Sequence, residues 1–116
     1  MELQGTRTAA GCRFAVVVSR FNEEITEGLL AGARGALAEA AVRDEDITVV
    51  RVPGSFEIPV AALRLARMGH FDAVICLGCL IKGETMHFEY LADATCHGIA
   101  DAATVTGVPM ALGVLT

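Results

Sequence analysis

Lys82, Gly83, Glu84, Thr85 and His87 crowd into a short segment that follows the apolar run Val74-Ile75-Cys76-Leu77-Gly78 after Cys79-Leu80-Ile81. Backbone amides ahead of a helix, a hydroxyl and an ammonium group are donors suited to an anion. The imidazole titrates near neutral pH, which is what a proton-transfer group requires. A purely structural connection needs only a turn and a cap. Two earlier segments are equally unusual. In Arg20-Phe21-Asn22 an aromatic ring sits between polar residues, where it can stack on a flat heterocycle or act as a hydrophobic staple. In Pro53-Gly54-Ser55-Phe56-Glu57 the amides of Gly54 and Ser55 can meet ligand oxygens. Glu57 can accept hydrogen bonds from hydroxyls, or simply complement a helix dipole. For His87 the plain alternative is an exposed first-turn histidine. Gly78-x4-Gly83 has the outline of a P-loop, but that loop needs Lys and Ser/Thr directly after its second glycine. Here Lys82 precedes Gly83 and Glu84 follows it.

These segments need elements to position them. Cys12–Ser19 has the near-continuous apolar character of a strand covered on both faces. Asn22 is a good N-cap, with Glu23 and Glu24 at the positive end of a helix dipole. That helix is expected to reach about Ala41 and to bury Ile25, Leu29, Ala33, Ala36, Leu37 and Ala40. Gly28, Gly32 and Gly35 lie on a neighbouring stripe and would allow another helix to come close. A second strand spans 47–52. A second helix begins near Phe56, tolerates Pro59 in its first turn and ends at Gly69. A third strand spans 72–78. A long helix runs from Met86 to about Thr106, with Leu91, Thr95, Ile99 and Ala102 in register, and Gly107 stops it. Val108–Leu115 is the fourth strand. The order β-α-β-α-β-α-β predicts an α/β fold, a parallel sheet with helices on both faces. In such a sheet ligands bind beyond the carboxyl ends of the strands. All three unusual segments fall there, which points to one small-molecule site.

Composition narrows the function classes. The 116 residues suit one domain. Residues of the set AVILMFWYC make up 53%, and 12 glycines add to this apolar total, which is above the usual share. No apolar run approaches a membrane span, so the excess points to burial against copies of the same chain. A net charge of −5 without a basic tract argues against nucleic acid. With no Trp and one Tyr, a base-stacking platform is not expected. The N-terminus lacks the pattern of a signal peptide, and a cytoplasmic setting is expected. Of the four cysteines, Cys76 falls inside a strand, so Cys76-x-x-Cys79 is expected to be small buried residues rather than a redox pair. A zinc site built from Cys76, Cys79, His87, Cys96 and His97 matches no common ligand spacing.

Arg20-Phe21-Asn22, Pro53-Gly54-Ser55-Phe56-Glu57-Ile58-Pro59, the run from Gly78 to Tyr90 and Gly107-Val108-Pro109 together closely resemble the lumazine synthases. The resemblance covers nearly the whole chain in order. It implies a three-layer, flavodoxin-like sandwich over residues 1–116, with 1–11 an extended arm that joins a neighbour's sheet. It implies condensation of 5-amino-6-(D-ribitylamino)uracil with 3,4-dihydroxy-2-butanone 4-phosphate in riboflavin synthesis, without cofactor or metal. Phe21, beside Asn22, would stack on the pyrimidine. Ser55, Phe56 and Glu57, next to Gly54, would hold the ribityl chain. Cys79, Leu80 and Ile81 would meet the pyrimidine edge, Glu84 and Thr85 the phosphate, and His87 would transfer the proton. Leu112 stands where the family often has a Phe facing the neighbour's pyrimidine. The family forms pentamers, sometimes hollow icosahedral shells, with sites between subunits. It also extends beyond position 116 by one or two helices that bring a phosphate-binding arginine, and these 116 residues stop ahead of that region. A shell subunit with an incomplete site and a flavin-binding module without chemistry are the alternative readings.

Overall fold

The computed structural model describes residues 1–83 and 87–116. Four strands alternate with three α-helices: β1 (Phe14–Ser19), α1 (Glu23–Glu39), β2 (Ile47–Val52), α2 (Ile58–Arg67), β3 (Ala73–Cys79), α3 (Phe88–Thr106) and β4 (Met110–Leu115). Short 3-10 turns at Asp44–Asp46 and Ser55–Glu57 lead into β2 and α2. The sheet is entirely parallel, in the order β2-β1-β3-β4. The crossover through α1 moves one way along the sheet, and those through α2 and α3 move the other. Right-handed connections therefore place α1 alone on one face and α2 with α3 on the opposite face. The two cores agree with this. Val16, Val18, Leu30 and Leu77 pack on the α1 side. Ala15, Val17, Ile58, Ala62, Val74, Cys76 and Ile99 pack on the other. The expected α/β three-layer fold and element order are therefore observed.

Three expectations need correction. The buried stripe of α1 is Thr26, Leu30 and Leu37, with Ala33 packed partly beside them. Of the predicted stripe, Leu37 is buried and Leu29, like Ala33, packs partly against this core, while Ala36 and Ile25 are exposed, Ile25 by 41%. A polar residue takes the buried position because Thr26 Oγ1 donates to the Glu23 carbonyl at 3.3 Å, so its hydroxyl is satisfied inside the helix. Asn22 is not a side-chain cap. It adopts a left-handed conformation (φ 60°, ψ 50°) and makes no capping hydrogen bond. The long helix starts at Phe88, so His87 is its N-cap residue and not part of its first turn. The other helix boundaries follow their signals. Gly69 and Gly107 both carry positive φ, 69° and 73°, the left-handed conformation that ends helices.

Among the described residues no helix lies against the glycines of α1. A Cβ on Gly28, Gly32 or Gly35 would meet nothing within 4 Å. Gly98 on α3 differs, because a Cβ there would lie 2.7 Å and 2.8 Å from the ring carbons of Pro59 on α2. The proline ring cannot rotate away. Gly98→Ala is therefore expected to destabilise by about 1–3 kcal/mol through overpacking, more than offsetting the roughly 1 kcal/mol gained from helix propensity. Gly32→Ala should instead stabilise by about 0.5–1 kcal/mol. Urea midpoints that move in opposite directions for the two variants would confirm the difference. A loss of stability for Gly32→Ala would mean that another chain lies on α1. On the surface, an exposed Glu27–Arg51 ion pair links α1 to β2. Pairs of this kind contribute little.

Candidate active site

The backbone continues its ladders past the strand ends and so gathers the loops. Arg20 N–H donates to the Val52 carbonyl at 2.8 Å and Phe21 N–H to the Pro53 carbonyl at 3.0 Å. The loop after β1 therefore runs beside the loop after β2. Leu80 N–H donates to the Leu115 carbonyl at 2.8 Å, which carries β3 one residue further along β4. Asn22 Nδ2 donates to the Cys79 carbonyl at 3.4 Å. The left-handed turn at Asn22 thus aims its amide across to the end of β3. Thr95 on α3 is buried, and its Oγ1 donates to the Ser55 carbonyl at 3.3 Å. Three loops and one helix are tied together in this way at the carboxyl edge of the sheet.

Between them lies a cleft of about 460 Å³, lined by Phe21, Pro53, Gly54, Ser55, Phe56, Glu57, Leu80 and Leu91. This volume suits a small molecule. Phe21 and Phe56 are 49% and 62% exposed, an unusual cost for aromatic rings that a flat ligand would relieve. Glu57 Oε1 accepts the Gly54 N–H at 2.8 Å. One carboxylate oxygen therefore holds the turn, and the other is left to accept from a ligand. Both alternatives for Glu57, structural and ligand-binding, are compatible with this geometry.

The cleft brings together Phe21, Gly54, Ser55, Phe56, Glu57 and Leu80 of the expected residues. Asn22 spends its side-chain amide on the Cys79 carbonyl. Cys79 is buried at the end of β3, and Ile81 is partly exposed just beyond it. His87 is exposed on the same edge at the start of α3, its ring centroid 6.3 Å from that of Tyr90. Its carbonyl accepts the N–H of Leu91, the α3 residue that lines the cleft. His87 is not among the lining residues. Leu112 lies on the edge strand β4, in register with Cys76, is 55% exposed and is likewise not part of this cleft. Glu84 and Thr85, the expected phosphate ligands, lie outside the described residues. Sequence reasoning missed Pro53 and Leu91 as walls of the cleft. The helical periodicity places Leu91 in the core of α3, and it lines the cleft because it stands one turn from the helix start.

The two strand cysteines cannot act as a pair. Cys76 and Cys79 are three residues apart in a strand, so they point to opposite faces of the sheet. Burial pushes the Cys76 thiol up to about 12, so it stays protonated and unreactive. Among the described residues no three His, Cys, Asp or Glu side chains converge as metal ligands.

A family model described as 6,7-dimethyl-8-ribityllumazine synthase matches residues 11–116. A protein of that name from Desulfatibacillum aliphaticivorans is 45% identical over 114 residues, covering 98% of this chain and 74% of the relative. Its namesake from Salinibacter ruber is 48% identical over 114 residues, covering 98% and 73%. One from Kineococcus radiotolerans is 54% identical over 107 residues, covering 92% and 65%. With a parallel α/β sheet, a cleft built from its βα loops and a match over nearly the whole sequence, the chain belongs to the 6,7-dimethyl-8-ribityllumazine synthase family.

Proposed function

We propose that this protein is a transferase of riboflavin biosynthesis that joins 5-amino-6-(D-ribitylamino)uracil to 3,4-dihydroxy-2-butanone 4-phosphate. The amine condenses with the ketone and releases water. Phosphate is eliminated, the ring closes, and a second water leaves to give the lumazine. The observation that carries this reading is the cleft in which Phe21, Ser55, Phe56 and Glu57 stand together in a chain of this family. Phe21 stacks on the pyrimidine. Ser55 and the free oxygen of Glu57 bind ribityl hydroxyls, with Gly54 and Phe56 shaping that end. Cys79, Leu80 and Ile81 face the pyrimidine edge, and Asn22 fixes the loop of Phe21 against them. Glu84 and Thr85 bind phosphate, and His87 moves the proton. No step requires a cofactor or a metal.

The protein works as a homo-oligomer, a pentamer or a shell of pentamers, in which Leu112 of one copy faces the cleft of the next. The apolar excess, the unpaired outer edges of β2 and β4, and the exposure of Leu112 and Leu115 support this. Four cysteines, none in a disulfide among the described residues, favour a reducing, cytoplasmic setting. Among the described residues no helix is long and apolar enough to cross a membrane.

The test is to mix the purified protein, with its natural termini, with both substrates and follow lumazine formation by absorbance. Turnover is expected, and its absence would overturn the reading. Phe21→Ala should raise KM for the ribitylaminouracil about tenfold, because stacking on a base contributes about 1–3 kcal/mol. KM for the butanone phosphate should change little. An equal rise for both substrates would remove Phe21 from the pyrimidine site.

A further inference from the structure

Ser19 ends β1 and is 1% exposed, and Ser55 opens the turn before α2 and is 4% exposed. Among the described residues neither hydroxyl oxygen has a hydrogen-bond partner. Burying an unpaired hydroxyl is costly, which is why nearly all buried hydroxyls are paired. Here two unpaired hydroxyls occur side by side. A Cβ on Gly78 would lie 2.7 Å from Ser55 Oγ and 3.3 Å from Ser19 Oγ. Both oxygens thus border the same point on β3, and they are no more than about 6 Å apart. One oxygen atom can hydrogen-bond to two hydroxyls across a span of about 5.6 Å. Ser55 lines the cleft, and Ser19, on the neighbouring strand, is more deeply buried. The other buried residues of β1 are Ala15, Val16, Val17 and Val18, so packing alone would be served by another apolar residue at position 19.

We propose that Ser19 is a positioning residue for the polyol-binding end of the cleft. Its hydroxyl and that of Ser55 share one hydroxyl-type oxygen, and this link orients Ser55 toward a polyhydroxylated chain. Gly78 keeps the space beside them clear. The linking oxygen comes from a bound water or from the polyol itself. The proposal rests on the function given above and adds to it a residue that does not line the cleft.

The experiment uses the intact protein and compares wild type, Ser19→Ala, Ser55→Ala and the double variant. Ser19→Ala should raise KM for the ribitylaminouracil about three- to tenfold, with kcat and KM for the butanone phosphate unchanged. Binding of a pyrimidine analogue without the polyol chain should also be unchanged. In the absence of ligand Ser19→Ala should unfold at the same or a higher temperature, since an unpaired buried hydroxyl is removed. Ser19→Thr, which keeps the hydroxyl, should recover part of the lost affinity. A purely structural serine would not combine intact stability with a polyol-specific KM. If the double variant is no worse than Ser55→Ala, the linking oxygen is a water acting through Ser55. If the two effects add, it is a hydroxyl of the substrate. An unchanged KM in Ser19→Ala, or a rise equal for the analogue without the polyol, overturns the proposal. Should wild type make no lumazine, the proposed reaction fails instead, and calorimetric titration with the ribitylaminouracil then tests Ser19 independently of turnover.

Discussion

His87→Ala slows lumazine formation by about a hundredfold or more while leaving the fold intact. Both halves of this expectation come from where the residue stands. A positioned proton donor or acceptor contributes about 10²–10⁴-fold to rate. His87 is exposed at the start of α3, so its removal should change stability by no more than about 0.5 kcal/mol. The loss should fall on kcat, because imidazole removal would affect proton transfer more than the stacking and polyol contacts proposed to hold the pyrimidine. Steady-state kinetics with both substrates, together with thermal unfolding, provides the check. A variant with wild-type kcat at every pH tested would take His87 out of the mechanism. A variant that loses activity only in proportion to lost fold would do the same.

Ile58→Ala is expected to have the largest effect on stability, about 2–5 kcal/mol. Ile58 is fully buried at the first position of α2 and packs with Ala15, Val17, Val74, Cys76 and Ile99. A Cβ on Gly78 would lie only 3.0 Å from Ile58 Cδ1, which shows how closely β3 approaches at this point. The space left by truncation would open directly under the turn that carries Ser55 and Glu57, and close packing leaves little room for collapse. Against a total stability of about 5–15 kcal/mol, such a loss lowers the melting temperature by something on the order of 10 °C. Calorimetry would measure it, with Ile25→Ala as the comparison. Ile25 is 41% exposed on α1, and its truncation should cost less than about 1 kcal/mol. Equal losses for the two variants would contradict the burial described for α1 and for the core.

Much of the site is legible along the chain. The three loops that carry Phe21, Glu57 and His87 each follow a strand, and a parallel β-α-β order sends every such loop to the same edge of the sheet. Their chemistry needs no knowledge of strand order. The helix ends at Gly69 and Gly107 are equally local, because a left-handed cap depends only on the residue that adopts it. Where local rules misled, a long-range or backbone contact had changed the local preference. Hydrophobic periodicity favours Ile25 over Thr26 because polarity counts against burial, yet a hydrogen bond to its own helix removes that cost. Residue type marks Asn22 as a side-chain cap, but at the N-cap position it turns left-handed and its amide reaches 57 residues along the chain to the Cys79 carbonyl.

The order of elements, the edge on which the loops gather and the family were determined by the sequence alone, since each depends on residue type and spacing within a short stretch. Only the tertiary structure decided that β1 lies between β2 and β3. That placement puts Phe21 beside Pro53, brings Leu91 to the cleft and sets Ser19 and Ser55 around Gly78. The physical reason is that strand neighbours are chosen by packing between residues distant in sequence, and no local periodicity records which distant residues will meet.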